Sequence, residues 1–244
     1  MTLAIYIGDY TLTGEQVIHK LIAYNWMQDL VKEVIIDQAI ADVPYTPEEV
    51  EAAQKRIVQQ YGLATPDQLA QWLASLNYDP QTFRLDVTRG VRLQKFKQEH
   101  WGAEVPNLFL QRKQELDRAV YSILRLKDIS VAQELYFRLQ GGEQTFQEIA
   151  TKYSLGAEAS TGGLVGPVEL GKLHPTLKQM LSNGKTGQLF PPQIIDQWIV
   201  IVRLEQYFPA QLDEPTKERL IHDAFSGWLQ EKIKQTTLGF TQQS

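Results

Sequence analysis

Cysteine is absent from this chain of 244 residues. Its absence excludes disulfide bonds, thiolate nucleophiles and cysteine-ligated zinc, and it is typical of a protein from a reducing compartment. An excess of positive charge is also missing, because 24 Lys and Arg stand against 29 Asp and Glu, for a net charge of −5. The sequence therefore carries no electrostatic signal for nucleic acid as a partner.

Long apolar runs are lacking as well. The N-terminal run Leu3–Ile7 ends at Gly8 and Asp9, and the first cation is Lys20, so this segment does not have the pattern of a secretory signal. No stretch approaches the roughly 18 apolar residues that a membrane-spanning helix needs. From these features we expect a cytoplasmic protein without membrane insertion.

Metal and nucleotide motifs are scarce. None of the four histidines has a second ligand at metal-binding spacing, and they are His19, His100, His174 and His222. The glycine-rich segment 162–166 lacks the Lys-Ser/Thr ending of a phosphate-binding loop. We therefore expect no metal and no cofactor. What is present is enough apolar material for a packed core, with 43% hydrophobic and 22% charged residues.

Helix-start signals dominate the first third of the chain. Each is a side chain able to cap the backbone N–H groups of the following turn, and the four are Thr13, Thr46, Thr65 and Asp79. Apolar residues recur at helical spacing between these positions. The sequence predicts several medium helices joined by short turns, preceded by a short strand pair over Leu3–Ile7 and Tyr10–Leu12.

The pattern changes to mixed strand and helix near residue 118. The sequence predicts strands over 119–126 and 198–205 and helices from Ser130 to Gln140, from Thr145 to Tyr153 and over Thr176–Leu181. A charged helix over Leu108–Val120 is expected to connect the two regions. Such a mixture is typical of a small α/β domain.

The C-terminal segment returns to helix. It opens at Asp213-Glu214-Pro215, and a broad apolar stripe follows that includes Ile221, Phe225 and Trp228. So wide a stripe must be buried, and the N-terminal helices are the expected partner. We therefore predict an α+β protein in which an all-helical domain, residues 1–115 completed by 212–236, carries an inserted α/β domain over 117–208.

Several segments of the inserted region resemble the parvulin (PpiC-type) family of peptidyl-prolyl isomerases. They are the strand VYSIL, the helix FQEIATKYS, the loop STGGLVG, the stretch LGKLHPTLKQ and the strand WIVIVRLE. Residues 1–115 and the C-terminal helix are similar in architecture to the helical chaperone domain of the SurA and PrsA foldases. The resemblance implies a rotamase domain that binds polypeptide.

The resemblance also implies where the catalytic groups of the family would lie. Parvulins place two histidines and a Cys or Asp around an apolar proline pocket, and the matching positions here hold Ser122, Val200 and Gly156. None of these side chains is ionisable near neutral pH, so the resemblance implies that the catalytic groups of the family are missing from this chain. Four residues are expected to surround an apolar peptide groove with His174 at its rim, and they are Leu173, Leu177, Trp198 and Val200.

Three functions fit this pattern. The first is a foldase or chaperone that binds unfolded or extended polypeptide, proline-containing segments included, with little or no isomerase activity. The second is an active peptidyl-prolyl isomerase that works with substituted residues. The third is an adaptor dedicated to assembly or secretion of one partner. All three work without ATP, because no nucleotide motif is present, and none of them defines an oligomeric state.

Overall fold

The computed structural model describes residues 4–76 and 78–239. It divides into two compact units. One comprises the chain through Val105 together with the chain from Lys217 onward, and the other is Pro106–Thr216. The sequence placed the corresponding boundaries at 115, 117, 208 and 212. Both divisions make the helical unit discontinuous in sequence.

The elements of the chain through residue 101 begin with a β-hairpin and continue as helices. They are β1 (Ala4–Ile7), β2 (Tyr10–Thr13), α1 (Gly14–Ala23), α2 (Met27–Ile40), α3 (Pro47–Gln60), α4 (Pro66–Ser75) and α5 (Pro80–Trp101). The predicted first strand began at Leu3, which lies outside the described residues. All four predicted caps are confirmed, because the side chains of Thr13, Thr46, Thr65 and Asp79 each accept a hydrogen bond from the first helical turn.

The remaining elements alternate strand and helix before the final helix. They are α6 (Val105–Leu116), β3 (Arg118–Leu126), α7 (Ile129–Gly141), α8 (Phe146–Tyr153), β4 (Leu164–Glu169), α9 (Pro175–Asn183), β5 (Leu189–Ile195), β6 (Trp198–Phe208) and α10 (Glu214–Gln235). None of the described helices is long and apolar enough to cross a bilayer.

Two predicted helix boundaries are wrong. The connecting helix α6 runs from Val105 to Leu116 and not from Leu108 to Val120, because residues from Arg118 onward pair in the sheet. Pro106 falls in the first turn, where its missing N–H leaves no hydrogen bond unmade. Helix α7 is capped by Asp128 and not by Ser130, since the Asp128 carboxylate accepts from the N–H of Ser130 at 2.7 Å.

The helical unit has two apolar cores. Helices α3, α4 and α5 bury Val50, Leu73 and Phe83. The second core joins α2 and α5 to the C-terminal helix, and its buried members include Ile36, Phe96, Phe225 and Leu229. The Phe225 ring stacks on Trp228 at 5.6 Å between centroids and meets Trp101 edge-on at 5.9 Å. The C-terminal helix therefore completes the helical unit, as its apolar stripe predicted.

The second unit is built on an antiparallel four-stranded sheet in the order β4-β3-β6-β5. Because side chains alternate along a strand, β3 sends Tyr121 and Ile123 to one face and Ser122 and Leu124 to the other. Helix α9 packs on the first face through Leu177 and Leu181. Helices α7 and α8 pack on the second face against Leu124, Leu126 and Ile201. The sheet thus has helices on both sides.

Strand β5 has no counterpart among the predicted elements. Its centre is Pro191-Pro192, and a proline pair argues against a strand in the middle of a sheet because each proline lacks the N–H of a ladder hydrogen bond. The observed strand lies at the edge and pairs only with β6, and its register shifts between Phe190 and Gln193. An edge position and a bulge are the places where a strand accepts proline.

Close packing explains the glycines of the loop between α8 and β4. Gly163 has a φ of +86°, and a Cβ there would lie 2.9 Å from the carbonyl oxygen of Ile123. The N–H of Ile123 in turn donates to the Gly163 carbonyl at 2.9 Å. This contact holds the loop directly against the backbone of β3 at Ile123, so the loop lies beside the middle of that strand.

Candidate functional site

A cavity of about 370 Å³ opens on the face of the sheet that carries α9. Strands β3, β5 and β6, the turn between β5 and β6, and the segment that leads into α9 all contribute to it. Its lining residues are Tyr121, Ile123, Arg125, Lys172, Leu173, His174, Leu177, Ile195, Asp196, Trp198 and Val200. This cavity, here called the groove, contains all five residues that the sequence assigned to peptide binding.

Apolar side chains make up the floor and walls of the groove. Val200 is 2% exposed and Leu177 is 6% exposed, and both belong to the core beneath it. Leu173 and Trp198 are partly buried and pack against that core. The Nζ of Lys127 lies 5.5 Å from the centroid of the Trp198 ring. A wall of this kind suits an apolar segment of a ligand and does little to fix its orientation.

His174 lies at the rim, where its ring caps helix α9. The Nδ1 atom accepts a hydrogen bond from the N–H of Thr176 at 3.2 Å, and Nε2 lies 3.6 Å from a carboxylate oxygen of Asp196. The cap assigns the donor and acceptor roles of the ring, because an Nδ1 that accepts cannot carry a proton. These two contacts give His174 a structural role at the rim of the groove.

Ser122 does not face the groove. It pairs with Arg203 in the sheet, on the side of α7 and α8, and its hydroxyl donates to Glu205 Oε1 at 2.5 Å. Val200 pairs with Arg125, which lies an odd number of residues from Ser122 and therefore on the opposite face. The structure places Tyr121, and not Ser122, in the groove beside Val200. Ser122, which the sequence comparison placed at a family catalytic position, therefore lies outside the groove.

Gly156 leaves room that another residue fills. A Cβ at position 156 would lie 2.2 Å from Oε2 of Glu158, so the carboxylate of Glu158 occupies the space that a side chain at 156 would take. Glu158 itself is 7% exposed. The position that the sequence read as empty therefore adjoins a buried acid contributed by a residue two places further along the chain.

The buried acid forms an ion pair with a residue that lines the groove. Its Oε2 accepts from Nη1 of Arg125 at 2.8 Å, and its Oε1 accepts from the Ser154 hydroxyl at 2.7 Å. Arg125 lines the groove, two residues from Tyr121 on the same face of β3. Burial raises the pKa of the Tyr121 hydroxyl, Arg125 lowers it and Glu158 raises it further, with a net increase. The phenol is therefore protonated at neutral pH and can donate a hydrogen bond.

Tyr121, Arg125 and Glu158 are the residues that sequence reasoning missed. The available signal was the alternation of side chains along strand β3. Once Val200 is assigned to the groove, only every second residue of the neighbouring strand can face the groove with it. Glu158 offered no such signal, because its position depends on the three-dimensional path of a glycine loop. Among residues 4–76 and 78–239 there is no cluster of three or more metal-binding side chains.

Comparison with known proteins identifies the second unit. Residues 126–206 match the family model of the rotamase, or PPIC-type PPIase, domain. No significant match is found among curated proteins. The peptidylprolyl isomerase PrsA from Bacillus anthracis has a similar structure, with a TM-score of 0.50 and 17% identity over 87% of this chain and 100% of that one. PrsA from Bacillus cereus matches with a TM-score of 0.50 and 15% identity over 98% and 93%.

The two kinds of comparison establish different things. The family match assigns residues 126–206 to a parvulin-type domain, and these bounds cover the groove except for Tyr121, Ile123 and Arg125. The structural matches are too distant in sequence to carry more than the fold. They show that this chain is similar in fold to the two PrsA proteins over most of its length.

Proposed function

We propose that this protein is a polypeptide-binding foldase whose groove holds extended, proline-containing segments and that it catalyses prolyl isomerisation weakly or not at all. The observation that carries the proposal is the groove itself, a cavity in which an apolar wall of Leu177, Trp198 and Val200 lies beside polar side chains, within a parvulin-type domain. An apolar wall with polar groups beside it suits permissive binding of apolar side chains. We expect affinity in the micromolar range, about −8 kcal/mol.

Weak isomerase activity is expected from the side chains that the groove contains. Rotation about a prolyl bond requires loss of amide resonance, with a barrier of roughly 18–20 kcal/mol. Val200 offers the reacting bond no donor, and Arg125 and Glu158 are engaged with each other. An apolar wall favours the twisted amide to a small degree because that state has less charge separation. Oriented donors to the prolyl nitrogen would contribute several further kcal/mol, and the side chain of Val200 supplies none.

An active isomerase remains the second candidate because of one observation. Tyr121 and Arg125 contribute polar groups to the lining of the groove, and Arg125 is paired with Glu158, so the groove is not uniformly apolar. The two candidates differ in a measurable rate, since uncatalysed isomerisation takes tens to hundreds of seconds and even modest catalysis is visible against it.

The test combines binding and turnover on one blocked Ala-Ala-Pro-Phe peptide. Trp198→Ala should weaken binding at least tenfold, or about 1.4 kcal/mol. Phe137→Ala should leave binding unchanged, because Phe137 is 65% exposed on α7, on the opposite side of the sheet. A wild-type rate equal to that of an active parvulin would overturn the weak-isomerase proposal. Failure to bind peptide or to suppress aggregation of a denatured client would favour a dedicated adaptor.

Variants at the family positions sharpen the turnover measurement. The double variant Tyr121→His with Val200→His places two imidazoles in the groove and should raise the isomerisation rate above wild type. Ser122→His is the matched control, because that side chain faces α7 and α8 and should add no activity. Equal gains from both changes would contradict the placement of Tyr121 in the groove.

A further inference from the structure

Among the described residues, the hydroxyl of Tyr121 is an unpaired donor on a largely buried residue that lines the groove. Tyr121 is 4% exposed and belongs to the core of the sheet, yet its ring lines the cavity. Within the described parts of the chain, its hydroxyl makes no hydrogen bond to another protein group. A buried phenol normally finds a partner. A free one directed at a cavity is therefore matched to an acceptor on a ligand.

The neighbouring ion pair does not engage the Tyr121 hydroxyl. The carboxylate of Glu158 receives Arg125 Nη1 on one oxygen and the Ser154 hydroxyl on the other, and the Tyr121 hydroxyl donates to neither oxygen. Arg125 is a donor without acceptor capacity and cannot accept a hydrogen bond from the phenol. The Tyr121 hydroxyl is therefore available to a molecule in the groove.

A peptide that enters the groove offers its backbone carbonyl oxygens as acceptors for this donor. A prolyl residue has no N–H, and its ring offers only apolar surface, which suits Leu177, Trp198 and Val200. Next to that ring lies the carbonyl oxygen of the preceding residue, to which amide resonance gives partial negative charge. Tyr121 lines the same cavity as the apolar wall, so a ring held by that wall brings this carbonyl oxygen to the cavity in which the donor lies.

We propose that the Tyr121 hydroxyl donates a hydrogen bond to the carbonyl oxygen of the residue that precedes proline, and that the Arg125–Glu158 pair positions Tyr121 for it. The proposal rests on the proposed peptide-binding function and assigns the recognised group. Its kinetic consequence is specific. The carbonyl oxygen loses negative charge as the prolyl bond twists, so a donor to it binds the planar forms better than the transition state. Such a contact contributes affinity without accelerating isomerisation.

The experiment compares two peptides on the full-length protein. One is the blocked Ala-Ala-Pro-Phe peptide and the other carries sulfur in place of the carbonyl oxygen before proline, because a thioamide sulfur is a weaker acceptor. Wild type should bind the oxygen peptide about tenfold more tightly than the sulfur peptide. Tyr121→Phe, which removes only the hydroxyl, should bind both with the weaker affinity and should not reduce any catalysed rate.

Arg125 supplies the test of positioning. Arg125→Lys keeps the charge beside Glu158 and should retain most of the preference for oxygen, whereas Arg125→Met should lose it. A role of Arg125 in stability alone would change the melting temperature without changing the ratio of the two affinities. Loss of the ratio in both variants to the same extent, or in neither, would contradict the positioning role.

The outcomes separate this proposal from the one on which it rests. If wild type binds neither peptide, the peptide-binding function itself fails, and this assignment fails with it. If wild type binds both peptides equally, or if Tyr121→Phe prefers oxygen as strongly as wild type does, the groove binds peptide through another donor. The assignment of Tyr121 is then wrong while the binding function stands. The wild-type comparison needs no variant, so equal affinities for the two peptides would overturn the assignment even if Tyr121→Phe does not fold.

Discussion

At the scale of single residues, Asp117 is a buried carboxylate that accepts hydrogen bonds from three different groups. It is 3% exposed and accepts from the Tyr207 hydroxyl at 2.5 Å, the Ala210 N–H at 2.7 Å and Lys113 Nζ at 3.1 Å. Burial alone would raise the pKa of this carboxyl, but the three hydrogen bonds together outweigh it and hold the pKa below its ordinary value. The ionised form therefore stabilises the fold.

The pH dependence of Asp117 follows from that direction. Because the pKa is lower in the folded state, the stabilisation is complete above the unfolded value of about 3.9 and is lost as pH falls through the folded pKa. Asp117→Asn should lower stability at pH 7 by roughly 1.5–3 kcal/mol. The difference from wild type should shrink below about pH 4. Thermal melts from pH 7 to pH 3 measure it, with the exposed Glu143→Gln as control.

The residue scale also shows where sequence interpretation fails. The apolar members of the groove, Leu173, Leu177 and Val200, could be assigned from the parvulin pattern because each occupies a recognisable segment. Tyr121 could not, since the parvulin pattern was matched at Ser122, and neighbouring residues on a strand face opposite sides of the sheet. Glu158 could not be predicted either, because no local sequence pattern indicates that its carboxylate fills the space beside Gly156.

At the scale of elements, caps and apolar stripes predicted the helices well. Three threonine caps and one aspartate cap are local devices, in which a side chain bonds to the backbone within three residues. Strand β5 depends instead on its place at the edge of the sheet, which sequence around Pro191-Pro192 does not reveal. Elements that depend on local interactions could therefore be predicted from the sequence, whereas an element that depends on its position in the tertiary structure could not.

The C-terminal helix α10 carries the prediction that belongs to this scale. It buries Leu220, Phe225 and Leu229, and full burial of such side chains contributes roughly 1.5–3 kcal/mol each. Deletion of residues 214–244 should therefore lower the melting temperature of the helical unit strongly or prevent its folding. Deletion of 236–244, which leaves α10 whole, should change it little. Equal melting temperatures for the two truncations would contradict the role of α10 in the helical core.

At the scale of the whole molecule, two units with separate cores imply two separable unfolding events. Leu73 lies in a core of the helical unit and is 4% exposed, whereas Leu124 lies in the sheet of the second unit and is fully buried. Leu→Ala at either site should cost roughly 2–5 kcal/mol.

Calorimetry tests the independence of the units. Leu73→Ala should shift one transition by several degrees and Leu124→Ala the other. The two variants have the same chemistry, so each serves as the control of the other. A single transition that both variants shift equally would show that the units unfold as one cooperative body.

The Ala210 N–H donates a hydrogen bond to Asp117, and strands β3 and β6 are paired next to it, from Arg118 to Phe208. The helical unit is thus interrupted by an insert, Pro106–Thr216, in which residues 117 and 210 are already joined. The entropy of closing a flexible loop grows only with the logarithm of its length, so a free segment of about ninety residues would cost about 2 kcal/mol more than one of ten residues. A folded segment whose ends are joined does not incur that difference. The groove-bearing domain therefore adds little of the loop-closure entropy that its length would otherwise cost the helical unit.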